Sequence, residues 1–253
     1  MTEKRSLYLY DMSWRDVKEA LPDIRVAIIP TGSSEQHGPN GTFEVDTGRA
    51  REFSKRLGER LYPHALVAPC INIGISPHHM HFPGTISLRA ETFTQVLMDV
   101  VESLHHHGIR RFLFVNGHGG NRPALSIVVN RIRHEMGARA AWVSPTSVAD
   151  DVVKANQKSA WTGHACESEM SQCMYLCPET VKWGKLEKGQ IVPEALEAKA
   201  GIPVEEGKFW EENTVNGALG DATQASAELG KQIIETALDR VTEWLKGFME
   251  KPV

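Results

Sequence analysis

Arg111-Phe112-Leu113-Phe114-Val115 running directly into Asn116-Gly117-His118-Gly119-Gly120-Asn121 decides the fold of this chain. The first five residues read as a buried strand, and the residues over 121–136 read as the helix that follows it. A His at the end of a parallel strand sits where open α/β sheets place their sites. The flanking glycines let the backbone take positive φ and approach a ligand closely, or they serve only a tight strand-to-helix turn. Outward from this unit the same alternation repeats. Val26-Ala27-Ile28-Ile29 is a continuous apolar run suited to a central strand covered on both faces. A helix is expected over 46–60, a strand over 65–69, and a further strand over 139–143. Over 91–107, Phe93, Val96, Leu97, Val100, Val101 and Leu104 recur at three and four, the spacing of an amphipathic helix that stops at Gly108. A longer helix is expected over 221–249, opened by Asp221-Ala222-Thr223. Alternating strands and helices predict a single-domain three-layer α/β/α fold over 1–253 with a mainly parallel central sheet.

Composition bounds the function. The 41% apolar and 24% charged content is that of an ordinary globular chain. A formal charge of −4 with Lys and Arg scattered along the sequence gives no basic stripe, so nucleic acid is not an expected partner. No apolar run approaches the roughly twenty residues that span a bilayer, so no membrane partner is expected either. Residues 1–5 lack the apolar core of a secretory signal. Four irregularly spaced cysteines, Cys70, Cys166, Cys173 and Cys177, form no disulfide framework, and a cytoplasmic setting fits them.

Three clusters carry the chemistry. Thr31-Gly32-Ser33-Ser34-Glu35-Gln36-His37-Gly38-Pro39 places Glu35 and His37 two apart, on the same face of an extended segment. A turn through Gly38, Pro39 and Gly41 can return Asp46 to them. The helix cap is the bland alternative for Asp46. His118 is the second cluster. The third, Gly163-His164-Ala165-Cys166-Glu167-Ser168-Glu169, opens a helical stretch with one more His and two carboxylates. Between them, Ser76-Pro77-His78-His79-Met80-His81 is a Pro-rich loop at a strand end, where substrates are met. The trio His105-His106-His107 points in directions about 100° apart on a helix and does not converge on an ion.

Together these segments resemble the creatininase family of metal-dependent amidohydrolases. The likeness rests on Gly-Ser-x-Glu-Gln-His-Gly-Pro followed by Asp46, on Phe82-Pro83-Gly84-Thr85, on the Asn-Gly-His-Gly-Gly-Asn turn, and on His164 with Glu169 five residues later. It runs from about residue 28 to about residue 230. The resemblance implies two divalent ions per subunit, Zn²⁺, Mn²⁺ or Fe²⁺, with Glu35 and His118 on one, His37 on the other and Asp46 on both. Creatinine-hydrolysing members carry a Glu two residues after the turn His, where this chain has Gly120, so the fifth ligand must come from elsewhere. Glu169 is the first candidate and Glu167 the second. His164 is expected to carry the proton to the leaving group, a task suited to imidazole, with Glu167 orienting it or the attacking water if Glu169 is the ligand. Ser76, His79, His81 and Trp161 are the expected substrate contacts, and Gln36 is expected to hold a ligand in place.

The activity this implies is hydrolysis of a C–N bond in a small cyclic amide or formamide. Hydrolysis of a C–C bond in a cyclic diketone such as a dehydro-inosose is the alternative, and a non-catalytic metal- or sugar-binding protein is a third. The resemblance also implies a homo-oligomer, a hexamer, acting on a small-molecule substrate.

Overall fold

A computed structural model describes residues 7–193, 195 and 206–253. Its centre is a five-stranded parallel sheet in the order β1-β3-β2-β4-β5, with β1 at Leu7–Tyr8, β2 at Val26–Thr31, β3 at Ala65–Val67, β4 at Arg111–Asn116 and β5 at Arg139–Val143. The register of the central pair sets Thr31 opposite Asn116, so the two loops that leave β2 and β4 start side by side.

Side-chain alternation along the strands builds the two cores. Val26, Ile28, Leu113 and Val115 face one side of the sheet, and Ala27, Ile29, Phe112 and Phe114 face the other. Helices α1 (Trp14–Ala20) and α2 (Val45–Arg60) follow β1 and β2. Helix α3 (Ala90–His106) precedes β4, and α4 (Arg122–Met136) precedes β5. Phe93, Leu97 and Val101 of α3 join Leu125 and Val128 of α4 on the second face. Phe53 and Leu57 of α2 cover the first. After β5 come the short helices α5 (Pro145–Val148) and α6 (Asp150–Asn156), then α7 (Glu167–Leu176) and α8 (Ala227–Glu250). Met170 and Cys173 of α7 and Ile233, Ile234, Ala237 and Leu238 of α8 complete the first core.

The chain leaves β2 to the left through α2 and reaches β4 on the right through α3, with these helices on opposite faces, as right-handed crossovers require. The strand order therefore reverses between β2 and β4. Outside the carboxyl ends of two such strands the diverging loops leave a crevice.

The expected three-layer α/β/α sandwich is the one observed, with one correction at the end of the chain. The helix expected over 221–249 is two elements. Asp221 caps a single 3-10 turn at Ala222–Gln224 by accepting from Thr223 N, and Ser226 caps α8 by accepting from Leu229 N. Two capping residues five apart end one turn and begin another. Part of the loosely patterned stretch over 182–216, expected as a lid or subunit contact, lies outside the described residues. Among the described residues, no helix is long and apolar enough to cross a membrane.

Candidate metal centre

The crevice between β2 and β4 is filled by ionisable side chains that are almost wholly shielded from solvent: Glu35, His37 and Asp46 are each 1% exposed, His118 4% and His164 6%. Each arrives from a different backbone device. Glu35 and His37 follow β2, and Asp46 sits in the first turn of α2, where Glu44 rather than Asp46 takes the cap position. His118 follows β4. Its turn lies so close to α2 that a Cβ on Gly117 would be 2.2 Å from Asp46 O.

Three imidazoles are oriented in the same way. A main-chain carbonyl can only accept, so the ring nitrogen facing it carries the proton. His118 Nε2 donates to Ile75 O at 2.9 Å, His37 Nδ1 to Glu35 O at 3.2 Å, and His164 Nε2 to Gln36 O at 2.7 Å. In each ring the remaining nitrogen turns its lone pair towards carboxylates. His118 Nδ1 lies 3.1 Å from both Glu35 Oε1 and Asp46 Oδ2. His37 Nε2 is 3.4 Å from Asp46 Oδ1 and 3.7 Å from Glu169 Oε2. His164 Nδ1 is 3.6 Å from Glu35 Oε1 and 4.0 Å from Glu169 Oε2.

Lone pairs facing carboxylate oxygens at these distances repel unless positive charge lies between them. Among the described residues, His37 Nε2 and Asp46 Oδ2 have no hydrogen-bond partner. The titration of the cluster reports the same demand. Burial alone would push His37 down, yet Asp46, Glu169 and Glu35 raise it to about 9. His118 is raised well above its ordinary value, against burial, by Glu35 and Asp46. Burial would raise Glu35, but the His118 charge overrides it and holds the carboxyl at about 2. His164 goes the other way, lowered first by burial and then by the charge on His37. The donor set of imidazole nitrogens and carboxylates without thiolate suits a borderline or hard divalent ion. Asp46, with one oxygen towards His37 and the other towards His118, is placed to serve two such ions at once.

A second layer fixes these groups. Ser76, fully buried, donates to Glu35 Oε2 at 2.7 Å, so this hydroxyl holds a carboxylate and is not open to a substrate as expected from the sequence. Gln36 Nε2 lies 2.8 Å from His79 Nδ1 and bonds Gly217 O. Arg49, buried one turn after Asp46, donates to Asp46 Oδ1, Glu169 Oε1 and Gly117 O.

The two carboxylates of the third cluster separate cleanly. Glu169 faces the centre. Glu167 does not: its carboxylate accepts from Lys158 N and from Ser159 N and Oγ, clamping the loop before His164, so the expected catalytic part for Glu167 is corrected to a structural one. His79 is buried against the centre with Nε2 3.6 Å from Glu35 Oε2, and His78 joins Glu35 and His118 in a further group of potential ligands. His81, in contrast, is exposed, pairs with Glu211 and stacks on Phe209, away from the ligands. Trp161 lines a separate hollow with Lys158, Ser159, Lys188 and Asp221. An indole that does lie against these histidines is that of Trp210, whose ring centroid is 4.6 Å from that of His79 and 5.1 Å from that of His164, with its N–H on Gly217 O.

The family model for creatininase, described as creatinine amidohydrolase, matches residues 10–245. The chain belongs to the creatininase family. Among curated relatives, it is 32% identical over 235 residues to the mycofactocin precursor peptide peptidase of Mycobacterium ulcerans, covering 87% of this chain and 86% of that protein. It is 26% identical to the 3-dehydro-scyllo-inosose hydrolase of Thermotoga maritima, covering 99% and 86%. A crystal structure from Bacteroides fragilis, of a protein assigned as a creatinine amidohydrolase, superposes with a TM-score of 0.84 at 24% identity, covering 100% of this chain and 99% of that one, which bears out the expected fold. Solved creatininases of this fold include a zinc–zinc form and a manganese form. The relatives named are hydrolases, and this family member carries groups of His, Asp and Glu that could hold a metal ion.

Proposed function

We propose that this chain is a two-ion hydrolase that cleaves an amide C–N bond. Glu35, His118 and one oxygen of Asp46 would hold one ion, and His37, Glu169 and the other oxygen of Asp46 the second. The observation that carries this reading is the set of imidazole lone pairs, each fixed by a main-chain carbonyl, aimed at buried carboxylates across 3.1 to 4.0 Å. Two divalent ions, when bound, lower the pKa of water towards neutrality and polarise a carbonyl oxygen.

The protein's own groups do the rest. His164, neutral because it is buried, keeps Nε2–H on Gln36 O and presents a basic Nδ1 to the centre, where it accepts the proton of the attacking water and returns it to the leaving nitrogen. Trp210 and His79, their rings tilted against each other at 4.6 Å, form one wall beside these groups. The family model's description as creatinine amidohydrolase supports a small cyclic amide or formamide as the substrate. The likeness to a precursor-peptide peptidase over most of the chain supports the C–N class and adds the amide of a short peptide to it.

The likeness to an inosose hydrolase along nearly the whole chain favours a second reading, C–C cleavage in a cyclic diketone, by attack of the same water on a ketone. A panel of creatinine, formamides, short peptides and keto-inositols, run on chelated and metal-restored protein, separates the two. Full activity after chelation, or unchanged turnover in Glu35→Gln and His118→Ala, would refute both.

A further inference from the structure

A fourth buried imidazole, His79, differs from the three that aim lone pairs at the centre. Its tautomer is set by Gln36. Gly38 N–H donates to Gln36 Oε1 at 2.6 Å, and Gln36 Nε2 lies 3.1 Å from Gly217 O, which can only accept. These two bonds fix which end of the amide is oxygen and which is nitrogen. Gln36 Nε2 then has one hydrogen left to give. His164 Nε2, 3.3 Å away, already donates to Gln36 O and cannot receive it. His79 Nδ1, 2.8 Å away, can.

A ring nitrogen that accepts carries no proton, so the proton of His79 is on Nε2. Glu35 Oε2 is the carboxylate oxygen near this N–H, but at 3.6 Å it is beyond hydrogen-bond range, and it is held by Ser76 Oγ at 2.7 Å. Among the described residues, His79 Nε2 makes no hydrogen bond. Buried donors are as a rule partnered, so a donor left over at the edge of a site is one a ligand can use. The ring is held in place between His164 and Trp210, with centroids at 4.7 and 4.6 Å.

We propose that His79 is a catalytic residue whose Nε2–H donates to the substrate's carbonyl oxygen as that oxygen becomes an oxyanion. The inference rests on the hydrolase reading above and holds for either bond class, since an amide and a ketone both carry that oxygen. The attacking water gives one proton to His164 Nδ1 and forms the new C–O bond, while the carbonyl π pair moves onto the oxygen that His79 faces. When the pair returns, the C–N bond breaks and the leaving nitrogen takes the proton from His164. His79 keeps its own proton throughout. Gln36 assigns both parts: its main-chain carbonyl holds the N–H of His164 and frees a lone pair, and its side-chain amide holds the lone pair of His79 and frees an N–H. A donor fixed in this way before the reaction needs no reorganisation when the charge appears.

Nuclear magnetic resonance of the ¹⁵N-histidine-labelled, zinc-loaded protein tests this, with formate as the probe. Formate offers an anionic oxygen on a carbonyl carbon and is the acid product of a formamide. The expected result is a proton on Nε2 of His79, none on Nδ1, and a downfield shift of that proton when formate binds. His79→Ala should lower kcat by about 100-fold or more on whichever panel compound is turned over, with little change in KM, zinc content or zinc affinity. His79→Gln, whose amide nitrogen reaches the place of Nε2, should recover at least about tenfold of that loss, and His79→Asn, which reaches only the place of Nδ1, should not. A proton on Nδ1, or a His79 signal that saturating formate leaves unmoved, overturns the proposal. So does a His79→Ala protein that loses zinc affinity, which would make the residue a support for Glu35. Failure to bind zinc refutes the two-ion reading itself, and the formate response of the metal-free protein then decides the proposal. If His79→Ala does not fold, or no panel compound is turned over, the formate response of the unaltered protein decides alone.

Discussion

Gly117→Ala tests how the centre is assembled, because the turn and the helix that carry its ligands touch at this residue. A Cβ there would lie 2.2 Å from Asp46 O and 3.3 Å from Asp46 Cα. A carbon and a carbonyl oxygen settle no closer than about 3.3 Å, so the turn or the first turn of α2 must move by roughly 1 Å. His118 Nδ1 and Asp46 Oδ2, 3.1 Å apart, ride on those two pieces and would separate by a similar amount. Overpacking of this kind costs about 1–3 kcal/mol. In a chain of this size each kcal/mol lowers the melting temperature by about 2–4 °C, so a fall of roughly 2–12 °C is expected. A displacement of about 1 Å in a site can cost around 100-fold in turnover. The control is in the same turn: among the described residues a Cβ on Gly119 meets nothing within 4 Å, and Gly119→Ala should stay within about 0.5 kcal/mol of the parent. Calorimetry and bound-metal analysis of the two variants side by side decide. Equal behaviour of the two, or a Gly117→Ala protein that melts and binds ions like the parent, would refute the reasoning.

Loading with Zn²⁺ or Mn²⁺ at about 100 times Kd should stabilise the protein by about 2.7 kcal/mol, visible as a rise in melting temperature that chelation reverses. Glu167→Gln should cost about 1–3 kcal/mol, because three donors lose a charged acceptor, yet leave metal content unchanged; loss of an ion would make Glu167 a ligand after all. Ser76→Ala removes the hydroxyl that holds Glu35 and should weaken ion binding by about 10- to 100-fold, measured by competition with a chelating dye. Trp210→Ala should raise KM more than it lowers kcat on whichever panel compound is turned over, with ion affinity intact; an unchanged KM would remove Trp210 from the pocket wall.

Much of the scaffold was legible because its signals are local and strong. The apolar runs of β2 and β4 and the three-four spacing of α3 each place one face without reference to the rest of the chain, and β5 begins and ends where expected. Weaker elements escaped. β1 has two residues, and α5 and α6 are too short for a periodicity to emerge. For the site, Glu35, His37, Asp46 and His118 stand out as residue types beside glycine turns, and the structure brings all four together. The pair Glu167 and Glu169 could not be resolved from the sequence. Residues two apart on a helix point about 200° from one another, so one faces the centre and the other does not, and the rotation of α7 is set by its packing on α2 and α8. Arg49 carried a usable signal, since a cation three residues after an acid on a helix shares its face. Trp210 carried none, because it comes from a stretch without periodicity and reaches His79 only through the tertiary fold.

The absent acid at position 120 and the acid at position 169 are one structural fact. A Cβ on Gly120 would lie 2.2 Å from Ile75 O and 2.5 Å from His118 Nε2, the two atoms whose hydrogen bond orients His118. The turn that aims this imidazole leaves no room for a side chain two residues later, and the third carboxylate at the centre comes from another element. Glu169, in the first turn of α7, reaches the centre only with help. Ala165 stands at φ +48°, a left-handed conformation that costs an ordinary residue about 1–2 kcal/mol, and from there its N–H meets Glu169 Oε2. Its carbonyl accepts from Asn40 Nδ2, and Asn40 Oδ1 accepts from Glu187 N, so the strained residue is held from outside its own segment. Strain persists in folded proteins where the surroundings over-determine it, and it gathers at functional sites. Here Asn40, Ala165 and Arg49 converge on one carboxylate.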